Sequence, residues 1–196
     1  MRPTPAFVSF LAVEALQVDL PAIERCCREV RAKDAGRKAS NDGGYQSGNL
    51  DLGVASPLTD LLREVEARAN ALHTALMFKT SLRQALDTAW ININRRGDSN
   101  TPHVHPRACF SGVFYVKAPK GCGDLMLRNP TANLEHIITE AHVETYNAFT
   151  SPQLTVPAEA GTLVIFPSWI LHYVKGNQTD EDRISIAFNT VFRPKT

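Results

Sequence analysis

The segment GTLVIFPSWILHYV, residues 161–174, contains two short apolar runs separated by a proline and a serine. Both runs are rich in β-branched and aromatic residues, which favour strands. The following run RISIAFN, residues 183–189, places an arginine and a serine among alternating apolar residues, as a two-faced strand does. Short strands at such close spacing, with Gly and Pro between them, predict a sandwich or barrel and not a parallel α/β sheet.

The same pattern extends back to residue 88. Strands are predicted over residues 89–94, 111–117, 124–128, 153–156, 161–166, 170–174 and 183–192. The first half of the chain has a different pattern, with one predicted strand at 6–13 and a glycine-rich loop at 40–48. We therefore predict one α+β domain spanning 1–196, in which 1–87 is mainly helical support and 88–196 is the β core.

Two helices are predicted before the β core. Asp19 is a good N-cap for the first helix, which tolerates Pro21 in its first turn and should end at Gly36. The pair Ser56-Pro57 begins the second helix, which has one apolar stripe at three- and four-residue spacing. His73 lies beside this stripe and is expected to be a packed or solvated residue, not a ligand.

Composition excludes several classes of protein. The 21 basic and 20 acidic residues leave a net charge of +1, so neither nucleic acid nor an anionic membrane is an expected partner. No apolar run is long enough to span a bilayer. The four cysteines form no CxxC motif, which favours a reducing, cytoplasmic location. We expect a small-molecule or peptide partner, and the question of a homodimer stays open.

Three histidines are candidates for a metal centre. His103 and His105 lie in TPHVHPR, residues 101–107, and side chains two apart on a strand point to the same face. His172 lies in a later predicted strand. Imidazole nitrogens suit iron, zinc, copper and nickel, and three of them can leave coordination positions open. The alternative is two exposed loop histidines and one core histidine.

Arg183 and Ser185 are candidates for binding an anion. An arginine is expensive to bury in a strand without an anionic partner. Its planar guanidinium group can donate two parallel hydrogen bonds to a carboxylate, and Ser185 on the same strand face can add a hydroxyl donor. The alternative is an arginine that points outward on the polar face of the strand.

These motifs together resemble the iron(II)- and 2-oxoglutarate-dependent oxygenases. The resemblance is carried by HxH, SGVFYV, GTLVIFPSWILHYV and RISIAFN, and by Trp90-Ile91-Asn92 and the GGYQS loop at 43–47. It implies a double-stranded β-helix of the jelly-roll or cupin type, with the N-terminal helices packed on one sheet. It also implies Fe(II), 2-oxoglutarate and O2 as cofactor and cosubstrates, and hydroxylation of a substrate with release of succinate and CO2.

The resemblance also implies roles for individual residues. His103 and His172 match the two histidine ligands of the superfamily. Arg183 matches the residue that pairs with the distal carboxylate of 2-oxoglutarate, and Ser185 lies beside it. Tyr115 and Asn92 match positions near the same cosubstrate, although a core tyrosine is an equally good reading of Tyr115. Apolar walls are expected from Val113, Leu163, Ile165, Phe166 and Ile186.

His105 departs from the superfamily, which has an Asp or Glu at this position. His105 could be the third ligand, which we favour, or could lie behind the ligands while water or a carboxylate such as Asp98 completes the site. The chain could also have lost its activity. His136 and His142 are expected over the mouth of the pocket.

Two other functions remain open at this point. One is a three-histidine cupin-type dioxygenase that does not use 2-oxoglutarate, which would leave Arg183 without a role. The other is a non-catalytic β-sandwich that binds a carboxylate ligand or a protein partner.

Overall fold

Two antiparallel β-sheets pack face to face in the computed structural model, which describes residues 2–4, 8–131 and 134–195. The six-stranded sheet contains, in spatial order, β1 (Ala12–Ala15), β9 (Thr162–Pro167), β6 (Phe110–Lys117), β11 (Arg183–Pro194), β4 (Leu82–Asn94) and β3 (Tyr45–Gln46). The five-stranded sheet contains, in spatial order, β2 (Asn41–Asp42), β5 (Ser99–His103), β10 (His172–Val174), β7 (Leu125–Arg128) and β8 (Gln153–Val156).

The helices α1 (Leu20–Lys33) and α2 (Pro57–Ala75) pack on the outer face of the six-stranded sheet, as predicted. The Asp19 side chain caps α1 by accepting a hydrogen bond from the Ala22 amide at 2.9 Å. The Ser56 hydroxyl caps α2 by accepting one from the Thr59 amide at 3.2 Å. These caps satisfy amides that have no partner within the helix, and they begin each helix where the sequence predicts.

Strand alternation divides the core into two layers. On β9, Leu163 and Ile165 belong to the cluster beneath the helices, whereas Val164 and Phe166 belong to the cluster between the two sheets. Successive side chains of a strand point to opposite faces, so one strand serves both layers. Burial on both sides explains why this strand is a continuous apolar run.

Several predicted boundaries are wrong. The first strand covers Ala12–Ala15 and not 6–13, of which residues 6–7 lie outside the described part of the chain. Helix α1 ends at Lys33, before Gly36, because the Asp34 carboxylate accepts hydrogen bonds from the Gly36 and Gly48 amides, which lie beyond the helix. The predicted loop at 40–48 contains β2 and β3, which join different sheets.

Two further elements lie between β7 and β8. They are the short helix α3 (Leu134–Ile137) and a 3-10 turn at Glu140–His142. None of the helices in the described part of the chain is both long and apolar enough to cross a membrane.

Gly112 of β6 allows close approach between neighbouring strands. A Cβ atom at this position would overlap the Phe188 ring and the Val164 carbonyl oxygen. We expect Gly112→Ala to reduce the free energy of unfolding by about 3 kcal/mol, because overpacking a rigid core costs energy on this scale. Chemical denaturation measures the change.

The matched control for Gly112→Ala is Gly48→Ala. The added methyl at Gly48 would meet only the Asp34 carboxylate, at an ordinary 3.6 Å. Gly48→Ala should therefore be nearly neutral, and equal stabilities of the two variants would contradict the packing described for β6.

Candidate metal centre

Three histidines meet at one end of the space between the sheets. His103 is the last residue of β5, and it pairs directly with His172, the first residue of β10. His105 follows two residues after the end of β5, where its backbone amide donates a hydrogen bond to the Ser168 carbonyl at 3.1 Å. Strand pairing thus brings together residues that lie almost seventy positions apart in the sequence.

The imidazole rings are close enough to share one ion. The ring centroids of His103 and His172 are 4.3 Å apart, those of His103 and His105 are 4.9 Å apart, and those of His105 and His172 are 5.1 Å apart. One nitrogen from each ring can be chosen so that all three lie within 4.8 Å of one another. Such a cluster can hold a metal ion.

Hydrogen bonds fix which nitrogen of two rings is available. Nδ1 of His103 lies 2.7 Å from the Thr101 carbonyl oxygen, and Nδ1 of His172 lies 2.8 Å from the Ile170 carbonyl oxygen. Since a carbonyl oxygen only accepts, each Nδ1 carries a proton and donates it. The lone pair of each Nε2 is then available for a metal, and such backbone contacts commonly orient metal-binding histidines.

Burial keeps these rings neutral. Desolvation lowers the pKa of His172 to about 3 and, with help from the nearby His103, the pKa of His105 to about 4. Desolvation also lowers the pKa of His103. Three neutral imidazoles that present free lone pairs suit a borderline metal such as Fe(II).

No carboxylate joins this cluster within residues 2–4, 8–131 and 134–195. Asp98, a candidate to complete the site, accepts a hydrogen bond from the Arg95 amide and lines a different cleft beside Gly43 and Gly44. The candidate donor set in this part of the chain is therefore three histidines, and ligation by His105 stays a prediction.

Arg183 lies deep in the same space, with only 2% of its surface exposed. Its guanidinium donates to the Gly123 carbonyl at 3.1 Å, to Asn94 Oδ1 at 2.9 Å and to Asn100 Oδ1 at 3.4 Å. All three acceptors are neutral, and within the described residues the buried Nε has no hydrogen-bond partner. A buried cation held by neutral groups, with one donor unused, fits an incoming carboxylate.

Three other predicted site residues form a row across the sheet beside Arg183. Ser185 of β11 pairs with Asn92 of β4 on one side and with Tyr115 of β6 on the other. The buried Oδ1 of Asn92 has no partner in the described part of the chain. Burial raises the pKa of Tyr115 to about 12, so its hydroxyl remains a proton donor at neutral pH.

One cavity of about 520 Å³, mouth included, joins these groups. Its lining contains every predicted site residue: Asn92, His103, His105, Tyr115, His172, Arg183 and Ser185. The buried Arg183 side chain and the three histidines thus line the same cavity.

Part of the predicted apolar wall is wrong. Val113 and Phe166 line the cavity, but Leu163, Ile165 and Ile186 point to the helix layer. The expectation counted apolar residues without assigning their strand faces, and successive residues of one strand point to opposite faces.

His136 and His142 do not line the cavity. His136 lies in α3, and the ring of His142 caps its own short turn through the Thr139 amide and hydroxyl. The expectation that they cover the mouth has no support here.

Sequence reasoning also missed residues that position the site. Asn94 and Asn100 hold the Arg183 guanidinium, and Trp90 packs on His105 with ring centroids 5.6 Å apart. Asn92 and Asn94 are two apart on β4, so strand alternation would have placed Asn94 on the same face as Asn92.

Residues 88–189 match the family model described as "Putative 2OG-Fe(II) oxygenase". The chain belongs to this family. The matched segment contains all seven predicted site residues. As a 2OG-Fe(II) oxygenase, the protein is an oxidoreductase that uses Fe(II), 2-oxoglutarate and O2, as the sequence motifs imply.

Solved structures of similar fold include other 2OG-Fe(II) oxygenases. A Pseudomonas putida prolyl-4-hydroxylase is 19% identical with a TM-score of 0.65, covering 95% of this chain and 93% of the other. The viral collagen prolyl hydroxylase of Paramecium Bursaria Chlorella virus-1, solved with 2OG, is 11% identical with a TM-score of 0.61, covering 92% and 96%. The carbocyclase SnoK from nogalamycin biosynthesis is 13% identical with a TM-score of 0.66, covering 92% and 78%. These likenesses confirm the double-stranded β-helix, and no curated protein matches the sequence.

The depressed histidine pKa values predict how the metal-free oxygenase responds to acid. Below about pH 6.5 the unfolded chain takes up a proton at His172, whereas the folded chain, with a pKa of about 3, does not. Acid therefore favours unfolding, and stability rises with pH across this range. Between pH 7 and pH 5 we expect the loss attributable to His172 to be about 2 kcal/mol.

Urea denaturation of the metal-free protein at both pH values measures this effect. His172→Gln should remove most of the His172 contribution, and His136→Gln, on an exposed helical turn, is the matched histidine control. A pH dependence that is identical in His172→Gln and the parent would contradict the burial assigned to this ring.

Proposed function

We propose that this oxygenase hydroxylates a small molecule or a peptide, with Fe(II) held by His103, His105 and His172 and 2-oxoglutarate held by Arg183. The observation that carries the proposal is the shared cavity. A neutral three-histidine cluster and a buried arginine with an unused donor line the same space between the sheets.

The three histidines would bind the metal through ring nitrogens. Because His103 and His172 each donate from Nδ1 to a backbone carbonyl, the proposed ligand atom of both is Nε2. The hydrogen bond from the His105 backbone amide to the Ser168 carbonyl connects the backbone at His105 to the turn that precedes His172. Rigid placement of this kind costs little conformational entropy on metal binding.

Arg183 would bind the distal carboxylate of 2-oxoglutarate. The Asn94 and Asn100 side chains and the Gly123 carbonyl hold the guanidinium in one orientation without neutralising it. The hydroxyls of Ser185 and Tyr115 line the cavity on the adjoining row and would donate to the same cosubstrate, while Asn92 supplies an amide. Charge-assisted hydrogen bonds to a buried carboxylate are strong.

The walls would protect the reaction from water. Val113 and Phe166 line the cavity, and Phe166 contacts the His172 ring with centroids 4.8 Å apart. When bound, Fe(II) and 2-oxoglutarate supply the redox chemistry that activates O2 and oxidises a substrate C–H bond, with release of succinate and CO2. The protein contributes orientation and exclusion of solvent.

Succinate formation tests this function. Protein reconstituted with Fe(II) in air should convert 2-oxoglutarate to succinate, slowly without a substrate and faster with one. A protein that uses O2 and Fe(II) but leaves 2-oxoglutarate intact would favour the cupin-type alternative. A protein that binds 2-oxoglutarate without binding iron would favour a carboxylate-binding module.

A further inference from the structure

Two surface clefts meet beside the proposed metal centre. One contains Arg37 and Trp90, the other contains Arg107, and both are lined by His105, Thr88 and Asn189. A molecule bound in either cleft would lie against these shared residues. The side chains that line the clefts therefore indicate what kind of molecule could bind beside the proposed metal centre.

Arg37 is held at the edge of the first cleft. Its backbone amide donates to the Gln46 carbonyl at 2.8 Å, and its guanidinium lies 5.8 Å from the centre of the Trp90 ring. Trp90 packs in turn on His105. The stacked arrangement positions the cation beside the metal centre without using its hydrogen-bond donors.

Arg107 lines the second cleft, two residues after His105. Its φ angle is +72°, a left-handed conformation that residues other than glycine seldom adopt. Backbone strain of this kind tends to persist at functional positions, because the surrounding structure must maintain it. The turn thus holds an arginine next to the metal ligands.

Neither arginine forms a side-chain ion pair within the described residues. No carboxylate lies within ion-pair distance of Arg37 or Arg107 in that part of the chain. Asp34, near Arg37, already accepts hydrogen bonds from the Gly36 and Gly48 amides. Asp87, in the second cleft, pairs with Arg193 at 3.8 Å.

Two of the residues that the clefts share, Thr88 and Asn189, are polar and uncharged. Asn189 accepts a hydrogen bond from the Ser111 hydroxyl at 2.7 Å and donates one to the Thr88 hydroxyl at 3.1 Å. This fixed chain of neutral groups would not repel an anion. The two clefts thus combine two guanidinium groups that form no ion pair with shared neutral side chains, and the second cleft also contains the Asp87–Arg193 pair.

We propose that the substrate carries an anionic group, a carboxylate or a phosphate, and that Arg37 and Arg107 bind it at the mouth of the cavity. A guanidinium is well suited to both groups because its planar fork can donate two parallel hydrogen bonds. Anchoring a remote group in this way would orient the reacting carbon toward the metal. The inference rests on the proposed function, since it assumes that the histidines hold the metal.

Tryptophan fluorescence of the anaerobic Fe(II)·2-oxoglutarate complex tests the proposal. The chain has two tryptophans, and the Trp169→Phe background leaves Trp90, beside Arg37, as the reporter. Saturating 2-oxoglutarate occupies the Arg183 site first, so an added anion cannot bind there. The probes are two matched pairs, N-acetylglycine with N-acetylglycinamide, and glycerol 3-phosphate with glycerol.

We expect at least one anion to change Trp90 emission in a saturable way, while its neutral partner does not over the same range. Binding of N-acetylglycine alone identifies a carboxylate site, binding of glycerol 3-phosphate alone identifies a phosphate site, and binding of both identifies a general anion site. Arg37→Gln and Arg107→Gln should each weaken binding about tenfold. The control Arg63→Gln, whose side chain is exposed on helix α2, should not weaken binding.

The proposal is overturned if neither anion binds more tightly than its neutral partner, or if either arginine variant retains the parent affinity. Failure of the proposed function has a different signature. In that case the visible band of the Fe(II)·2-oxoglutarate chelate does not form in the parent protein before any probe is added.

Discussion

Arg183→Met should weaken 2-oxoglutarate binding about a hundredfold, roughly 3 kcal/mol, because it removes the cation that we propose pairs with the distal carboxylate. Methionine retains the apolar stem but offers no donor. Arg183→Lys should recover only part of the affinity, since an ammonium cannot make two parallel hydrogen bonds. Isothermal titration of the anaerobic Fe(II) protein with 2-oxoglutarate measures the change.

Two controls separate a lost contact from a lost fold. Arg63→Met, on the outer helix layer, should retain the parent affinity for 2-oxoglutarate. Arg183→Met should still bind Fe(II), because Arg183 is not among the three histidines that would hold the metal. Unchanged 2-oxoglutarate affinity in a folded Arg183→Met protein would show that the carboxylate binds elsewhere.

His105→Ala should lose most bound Fe(II) and most succinate formation, because it removes one of three proposed ligands without replacement. His105→Asp should keep turnover of 2-oxoglutarate within about tenfold of the parent, a barrier change of ~1.4 kcal/mol. A carboxylate at this position would recreate the two-histidine, one-carboxylate donor set and lower the charge of the centre by one. Iron content and succinate release are measured together.

The comparison of the two His105 variants distinguishes ligation from a role at the mouth of the cavity. If His105 only shapes the mouth, His105→Ala and His105→Asp should both bind iron as the parent does. His136→Ala, in the short exposed helix α3 between β7 and β8, is the matched histidine control and should leave iron content unchanged. Parental iron content in His105→Ala would contradict ligation.

The sequence predicted the β core well because its signals are local. The run at 183–189 alternates in polarity, and β11 indeed places Arg183 and Ser185 on one face, with Ile184 and Ile186 on the other. The helix caps Asp19 and Ser56 are equally local, since each satisfies an amide three residues away. Signals contained within a few residues need no knowledge of the rest of the fold.

Features that depend on distant residues were harder to predict. The glycine-rich segment at 40–48 looked like a loop, but Gln46 pairs with Asn92 and Asn41 pairs with Asn100, in different sheets. Two-residue strands have too little pattern to detect in a sequence. That all of 1–196 forms one domain, and that the protein is cytoplasmic, stay predictions.

The candidate site also contains both features that local sequence reveals and features that depend on distant residues. The motif HxH and the Arg-x-Ser pair can be found from spacing and residue chemistry alone. The groups that accept hydrogen bonds from Arg183 could not be found in this way, because Asn94, Asn100 and Gly123 come from three separate segments. Likewise, the partners that fix the His103 and His172 rings are backbone carbonyls, which no sequence motif identifies.

The most direct test of the central claim is an anaerobic titration of the parent protein with Fe(II) and then with 2-oxoglutarate, followed by visible absorption. If the three histidines and Arg183 form one site, a weak charge-transfer band should develop and saturate at one iron and one 2-oxoglutarate per chain. The band should be absent in His172→Ala, which loses a proposed ligand. An equally intense band in His172→Ala, or none in the parent, would contradict the account.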